Sequence, residues 1–194
     1  HEGVHPSRLR LPNLHPVGEV DYDGRLTPAF TAHLKIDPRT GELITCGYNV
    51  ISKPHCSVSL INKKGEWVHT TDVDVPKPVM MHDCAITSNY TVIMDLPVVF
   101  DFARMTEGKS ILSFEPENGS RFRLLSRGAN GDQIRWFTVE SCYCYHTVNA
   151  FEEGDEIVVK GCRSDRNSIG DDVRPAKGDR RDLPMLHQWR LNLK

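Results

Sequence analysis

The feature that most constrains the fold is a succession of short β-branched and aromatic runs separated by turn sequences, with almost no helical periodicity. Residues 42–50, 56–61 and 67–75 have the length and composition of strands, and the last of them alternates strictly between side-chain classes. NKKGE at 62–66 has the composition of a hairpin turn. The pattern therefore predicts an all-β chain whose neighbouring strands are joined by hairpins.

Further strands follow in the second half of the chain. HDCAIT is expected to pair with YTVIMDL across 88–89, and SILSFEP with RFRLLSR across 117–119, where Asn-Gly readily adopts the positive φ of a tight turn. IRWFTV, CYCYHTV and DEIVVKGC complete the series. This spacing is compatible with a sandwich, a barrel or a propeller. At about 40 to 45 residues per four-stranded blade, the length would hold roughly four propeller blades, although no strict repeat establishes that fold.

Composition narrows the functional class. The chain has 194 residues, 39% of them hydrophobic, which is enough for one globular domain with a core. Its formal net charge of −2 gives no electrostatic case for nucleic acid or for an anionic membrane surface. No run of 18 apolar residues is present, so no membrane-spanning segment is expected.

The two ends of the chain and one internal segment indicate its domain organisation. The chain begins at His1 without a targeting sequence and stops on the strand-like run LHQWRLNLK, so we interpret it as a piece of a longer protein. Within the single expected domain (1–194), residues 164–184 carry five acidic and five basic residues among Gly and Pro. Such a segment cannot bury apolar surface, and we expect an exposed charged loop between strands.

Six cysteines allow either disulfides or free thiols. Several lie inside predicted strands, which favours reduced intracellular thiols over a disulfide framework. Cys142, Cys144 and His146 fall on one face of a predicted strand, so we considered zinc there. Alternate strand residues are about 6.6 to 6.8 Å apart, whereas structural zinc pairs usually sit on a turn. Cysteines that pack in a tight interior are the better interpretation.

Three of the nine histidines share an unusual setting. His33, His82 and His146 each enter or lie within a strand beside small and apolar residues, whereas five others lie in polar or turn-rich sequence, where surface positions are expected. Any one of the three alone is more simply a hydrogen-bonded core residue. Their separations fit no local chelate motif, so a shared metal would require separate strands that converge in space. No G-x-S-x-G, P-loop or G-x-G-x-x-G motif offers another centre.

Taken together, the histidine segments resemble the carotenoid cleavage dioxygenase family, in its plant-type branch. The matching blocks are GRLTPAFTAHLKIDPRTGEL, PVMMHDCAIT, IMDLP, IRWF and YHTVNAFEEGDEIVV, in that order over nearly the whole chain, and WRLNL also fits. The resemblance implies a seven-bladed β-propeller, of which this chain would be an incomplete part of roughly four blades. It also implies a non-haem Fe(2+) held by four histidines.

The resemblance assigns His33, His82 and His146 to three of the iron ligands. It implies glutamates that accept hydrogen bonds from the ligating imidazoles, and Glu2 matches one of these positions. The fourth histidine and the other glutamates would lie beyond Lys194. Two departures from the family pattern, Leu34 in place of proline and Cys84 in place of phenylalanine, remove no ligand.

The implied activity is O₂-dependent cleavage of a conjugated C=C bond in a carotenoid or apocarotenoid substrate, giving carbonyl products. Peripheral membrane contact of a full-length protein and a cytoplasmic or plastid location are compatible with it. Three alternatives stay open at this point: stilbene-type cleavage by the same chemistry, a catalytically inactive propeller remnant that acts as a binding module, and a hydrolytic zinc site on the same histidines.

Overall fold

The protein is described by a computed structural model that covers residues 5–26, 30–127, 134–165 and 183–194, and every structural statement refers to these ranges. Glu2 and most of the charged segment 164–184 lie outside them. The described residues form fifteen strands and two short 3-10 helices, at Phe102–Glu107 and Pro116–Asn118. None of these helices is long and apolar enough to cross a membrane.

The strands are numbered in chain order. They are β1 (Ser7–Arg10), β2 (His15–Glu19), β3 (Lys35–Ile36), β4 (Leu43–Tyr48), β5 (Cys56–Ile61), β6 (Trp67–Val73), β7 (Cys84–Ile86), β8 (Tyr90–Asp95), β9 (Val98–Phe100), β10 (Leu112–Phe114), β11 (Ser120–Ser126), β12 (Ile134–Val139), β13 (Tyr143–Glu153), β14 (Glu156–Ser164) and β15 (Met185–Asn192). The prediction of an all-β chain is confirmed.

The first sheet is an antiparallel meander in the order β3-β4-β5-β6. The predicted strands at 42–50, 56–61 and 67–75 all form, and the turn between the last two closes as expected. The N–H of Gly65 donates to the carbonyl of Asn62 at 2.9 Å, and Gly65 has a φ of 82°. Glycine suits that position because a side chain disfavours positive φ.

The second sheet has the order β12-β11-β8-β7, so its strands are not all in sequence order. The prediction that SILSFEP pairs with RFRLLSR is wrong. β10 pairs instead with β9, and the intervening Pro116–Asn118 segment forms a 3-10 helix rather than a hairpin turn. β11 is buried over most of its length, and it lies between β8 and β12, where both of its edges are hydrogen-bonded.

The third sheet is the meander β13-β14-β15. Its central strand carries Ile157, Val158 and Val159, none of which is exposed to solvent. Buried on both faces, this run has the continuous apolar sequence typical of a central strand.

The second sheet packs between the other two. Neighbouring residues of its strands point to opposite faces, and each face enters a different core. Val92 and Leu124 pack with Trp189 of the third sheet, whereas Ile93 and Leu125 pack with the first sheet. The three sheets therefore stack face to face, which explains the almost uninterrupted apolar sequence of β8.

In each of these three sheets, the strand that comes first in the chain is an edge strand, and the edge strands are in contact. β3, β7 and β13 are the terminal strands of the first, second and third sheets, and β7 contacts both of the others. This all-β stack of sheets is consistent with the fold that the family resemblance implies. The described residues contain two four-stranded sheets, one three-stranded sheet and two two-stranded sheets, β1-β2 and β9-β10, so the prediction of roughly four blades is not confirmed.

Candidate metal centre

His33, His82 and His146 meet where the three sheet edges converge. One potential ligand nitrogen from each lies within 4.8 Å of the other two. The ring centroids are 4.5 Å apart for His33 and His82, 4.6 Å for His33 and His146, and 4.9 Å for His82 and His146. Residues separated by 49 and 64 positions in sequence thus form one cluster.

His33 and His82 precede the first strands of their sheets, and one buried threonine connects them. The hydroxyl of Thr31 accepts a hydrogen bond from the N–H of His33 at 3.2 Å and donates one to the carbonyl of His82 at 3.1 Å. Both histidines are half-buried. The predicted strand HDCAIT begins only at Cys84, so His82 lies in the extended segment that leads into β7.

His146 lies inside β13, at an irregularity of the strand. Cys144 pairs with Arg163, but the next paired residue, Thr147, lies opposite Gly161, so the register shifts across His146. A β-bulge of this kind bends a strand and redirects its side chains. The side chain of His146 is consequently 54% exposed.

The structure supports the interpretation that the nearby cysteines pack in the interior, and not that they bind zinc. Cys142 and Cys144 are buried in the core between the second and third sheets, and all six cysteines are free thiols. The Cys144 thiol donates to the carbonyl of His146 at 3.2 Å, and burial raises the pKa of this thiol to about 12. The group of potential metal ligands found among the described residues consists of the three histidines and includes neither cysteine.

The surroundings of His33 keep its imidazole neutral. Burial lowers the pKa of His33, and the neighbouring His82 and His146 lower it further, against an opposing influence of Asp83. A neutral imidazole has a lone pair available for a metal ion. His33 is therefore suited to bind a cation through its ring nitrogen.

A buried carboxylate that the sequence analysis did not single out lies beside the histidines. Asp83 accepts hydrogen bonds from Lys35, from the N–H of Cys84 and from Thr147. Its position directly after His82 in an apolar segment was a signal for a structural role. Its partners could not be identified from the sequence, because they come from two other sheets.

The donor set fits a transition-metal ion. Imidazole nitrogens that are each about 2.1 Å from a common ion lie at most roughly 4.2 Å apart, close to the 4.8 Å limit that these three nitrogens satisfy. Imidazole ligands suit iron, zinc, copper and nickel, so the donor set by itself does not select one of them. The assignment of these three residues as ligands and of Glu2 as their hydrogen-bonding partner stays a prediction.

Comparisons with known proteins cover the whole chain. The family described as "Retinal pigment epithelial membrane protein" (RPE65) matches residues 1–194. A carotenoid 9,10(9',10')-cleavage dioxygenase of Crocus sativus is 40% identical over 186 residues, which are 94% of this chain and 34% of that protein. An isoeugenol monooxygenase of Pseudomonas nitroreducens is 32% identical over 97% of this chain and 40% of its own length.

A solved structure agrees with these sequence relatives. The lignostilbene dioxygenase of Pseudomonas brassicacearum superposes with a TM-score of 0.87 at 27% identity, over 100% of this chain and 42% of that one. The chain thus spans somewhat more than a third of the length of the proteins it resembles. Because the family match extends over all 194 residues, the chain belongs to the RPE65 family of carotenoid cleavage dioxygenases.

Proposed function

We propose that this chain supplies three histidine ligands to the non-haem Fe(2+) centre of a dioxygenase. The observation that carries the proposal is the convergence of His33, His82 and His146 from three different sheets, with ligand nitrogens within 4.8 Å of one another. Family membership supports iron over the hydrolytic zinc alternative. A fourth histidine ligand would come from outside the 194 residues.

The proposed reaction is oxidative cleavage of a conjugated C=C bond in a carotenoid or apocarotenoid. Bound iron would supply activation of O₂, and one O₂ and one alkene would give two carbonyl products, with both oxygen atoms incorporated. The protein's own residues favour the neutral imidazole of His33, whose pKa burial lowers, and Thr31 joins the segments of His33 and His82. His33, His82 and His146 would hold the iron as neutral ligands, which would leave its positive charge available for the activation of O₂.

A glutamate behind a ligating imidazole would fix its tautomer and raise its basicity. We assign this role to Glu2. The substrate would lie in an apolar tunnel completed by residues outside this chain. The compartment, cytoplasmic or plastid, is part of the same proposal.

A second substrate class is favoured by a specific observation. The solved structure with a TM-score of 0.87 is a lignostilbene dioxygenase, and an isoeugenol monooxygenase is 32% identical. Both names refer to phenylpropanoid alkenes. The same centre could therefore cleave the interphenyl double bond of a stilbene, again giving two carbonyl compounds.

The test is a cleavage assay on the natural protein that carries this sequence. The protein is loaded anaerobically with Fe(2+) and then given ¹⁸O₂ with a carotenoid, an apocarotenal or a hydroxystilbene. We expect a pair of labelled carbonyl products from a polyene, and products from the stilbene alone would select the second class. An iron-loaded protein that leaves all three substrates intact would contradict the dioxygenase proposal and favour the inactive binding module.

A further inference from the structure

Asp83 is a buried carboxylate at the junction of the three sheets. It is 2% exposed, although it carries a formal charge. An ionised group is stable in such a place only if it is paired and fully hydrogen-bonded. Its oxygens meet this requirement with partners drawn from all three sheets.

The partners of Asp83 are the sequence neighbours of the candidate ligands. Oδ1 lies 2.7 Å from the Nζ of Lys35, two residues after His33, and accepts from the N–H of Cys84 at 2.8 Å. Oδ2 accepts from the N–H and the hydroxyl of Thr147, at 2.9 and 3.0 Å. Thr147 directly follows His146, and Asp83 itself directly follows His82.

Asp83 thus bonds to each of the three segments that carry the imidazoles, and it thereby restrains the distances between the imidazoles. Charge-assisted hydrogen bonds are shorter and stronger than neutral ones, so a fully bonded carboxylate holds its partners closely. The bonds from Thr147 also hold the bulged part of β13, where His146 departs from the regular register. Without them, the exposed His146 would have fewer restraints on its position.

The carboxylate also sets the local charge. Lys35 places an ammonium near the cluster, and a cation there opposes the binding of a second cation. Asp83 neutralises it at 2.7 Å, and its Oδ2 lies 4.0 Å from the Nδ1 of His146. The region beside the three imidazoles is thereby prevented from carrying a net positive charge.

We propose that Asp83 is a positioning residue of the metal centre, which holds the three ligand segments at their spacing through Lys35, Cys84 and Thr147 and neutralises Lys35. This inference rests on the proposed function, because it requires that the histidines bind a metal. It adds a residue that touches neither metal nor substrate and that determines the metal affinity of the site.

The test compares Asp83→Asn with the matched control Asp95→Asn in the natural protein that carries this sequence. Asp95 is also 2% exposed and ion-paired, with Arg121 and Arg123, but it bonds to no ligand segment. The probe is Co²⁺, whose visible ligand-field bands report the geometry of its ligands. Affinity is measured by competition with a chelator, and thermal unfolding is recorded for each variant.

We expect Asp83→Asn to weaken Co²⁺ binding by about 10- to 100-fold, the range typical of groups that orient metal ligands, and to shift the ligand-field bands. Asp95→Asn should lower the unfolding temperature while leaving the affinity and bands unchanged. If Asp83→Asn destabilises the protein but binds Co²⁺ with wild-type affinity and spectrum, the positioning role is refuted. A wild-type protein that binds no Co²⁺ would refute the metal centre as well.

Thr147→Val keeps the proposal testable if Asp83→Asn does not fold. It removes the hydroxyl, which lies 3.0 Å from Asp83 Oδ2 and 3.2 Å from the carbonyl of Cys84, but preserves the backbone bond to Asp83 and the shape of the side chain. A smaller loss of Co²⁺ affinity, with a band shift in the same direction, is expected. Unchanged affinity and bands in this folded variant would overturn the inference.

Discussion

Two buried threonines differ in whether their hydroxyl bonds to the segments that carry the candidate ligands. Thr31 is 2% exposed and bonds both to the N–H of His33 and to the carbonyl of His82. Thr45 is 1% exposed, and its hydroxyl has no hydrogen-bond partner among the described residues. The two residues therefore form a matched pair that differs in hydrogen bonding and not in burial.

Thr31→Val should destabilise the protein, and Thr45→Val should not. The first change removes the hydroxyl that bonds the partly buried carbonyl of His82 and the partly buried N–H of His33, which costs about 1–3 kcal/mol. The second removes an unsatisfied buried hydroxyl and is expected to be neutral or slightly stabilising. Denaturant unfolding of both variants checks this, and an equal loss of stability in the two would show that the Thr31 bonds contribute nothing specific.

At the scale of elements, the bulge in β13 directs the side chain of His146 away from the core in which Cys142 and Cys144 are buried. Gly161 lies opposite the bulge, and there is no room for a side chain there. A Cβ at this position would lie 2.7 Å from the Sγ of Cys144, 3.2 Å from the carbonyl of His146 and 3.3 Å from the ring of Trp189. The glycine is thus required by a close approach of β14 to the bulged strand.

Gly161→Ala is expected to destabilise the protein by about 1–3 kcal/mol, the usual effect of overpacking a filled core, and to weaken metal binding by displacing His146. Adding Cys144→Ala removes the closest clash and should restore part of both properties. Unfolding and metal titration of the single and double variants measure this. Wild-type stability and metal affinity in Gly161→Ala would show that the bulge can accommodate a side chain at this position.

The strands of single hairpins could be predicted from sequence, whereas contacts between sheets could not. The alternation and turn at 62–66 identified β5 and β6, because a hairpin is specified by adjacent residues. The partner of β11 was predicted wrongly, since Asn-Gly at 118–119 ends a 3-10 helix here and the true partners lie elsewhere in sequence. The Asp83 contacts escaped prediction for the same reason.

The convergence of the three histidines likewise could not be predicted from local sequence. Their spacing gave no reason to join them, and only the resemblance to a family predicted that they converge. The structure brings them together because each lies at the first, edge strand of its sheet or just before it. The exposure of His146 depends on a bulge that the C-x-C-x-H alternation did not reveal.

A second polar cluster joins the first and second sheets. Asp37 is buried and bonds to Arg39 and Arg127, and Arg127 also bonds to Glu42 and to the carbonyl of Thr87. Hydrogen bonds from Arg39, and then from Arg127, hold the pKa of Asp37 well below its usual range. The ionised carboxylate therefore stabilises the folded state.

The stabilisation from Asp37 should depend on pH. A carboxyl whose pKa is depressed by folding contributes fully above its unfolded value of about 4, and the contribution is lost as the pH falls below that value. The unfolding temperature of Asp37→Asn should therefore lie below wild type at pH 6, with the difference shrinking below pH 4. The exposed Asp74→Asn is the control, and a difference that grows in acid would contradict the assignment.

At the scale of the whole molecule, the ligands come from three stacked sheets, and the chain spans only a little more than a third of its relatives' length. The metal site is therefore formed by tertiary packing and not by any one element. The 54% exposure of His146 shows that these sheets leave one side of the cluster open.

Residues 1–194 expressed alone should consequently bind iron weakly or not at all. Within the described part of the chain, β6, β12 and β15 each pair on one edge only, and three ligands on such sheets have fewer restraints than four ligands in a closed ring. Iron titration of the isolated polypeptide, beside the natural protein, tests this. One tightly bound iron per chain together with normal turnover in the isolated polypeptide would refute it.

The central claim, that His33, His82 and His146 hold one metal together, is tested most directly by iron content. Three single variants, each with one of these histidines changed to alanine, are purified from the natural protein beside wild type. The control is His187→Ala, at a half-buried histidine of β15 whose ring is in edge-to-face contact with Trp189. We predict about one iron per chain in wild type and in the control, and almost none in the three variants. Full iron content in those three variants would contradict the claim.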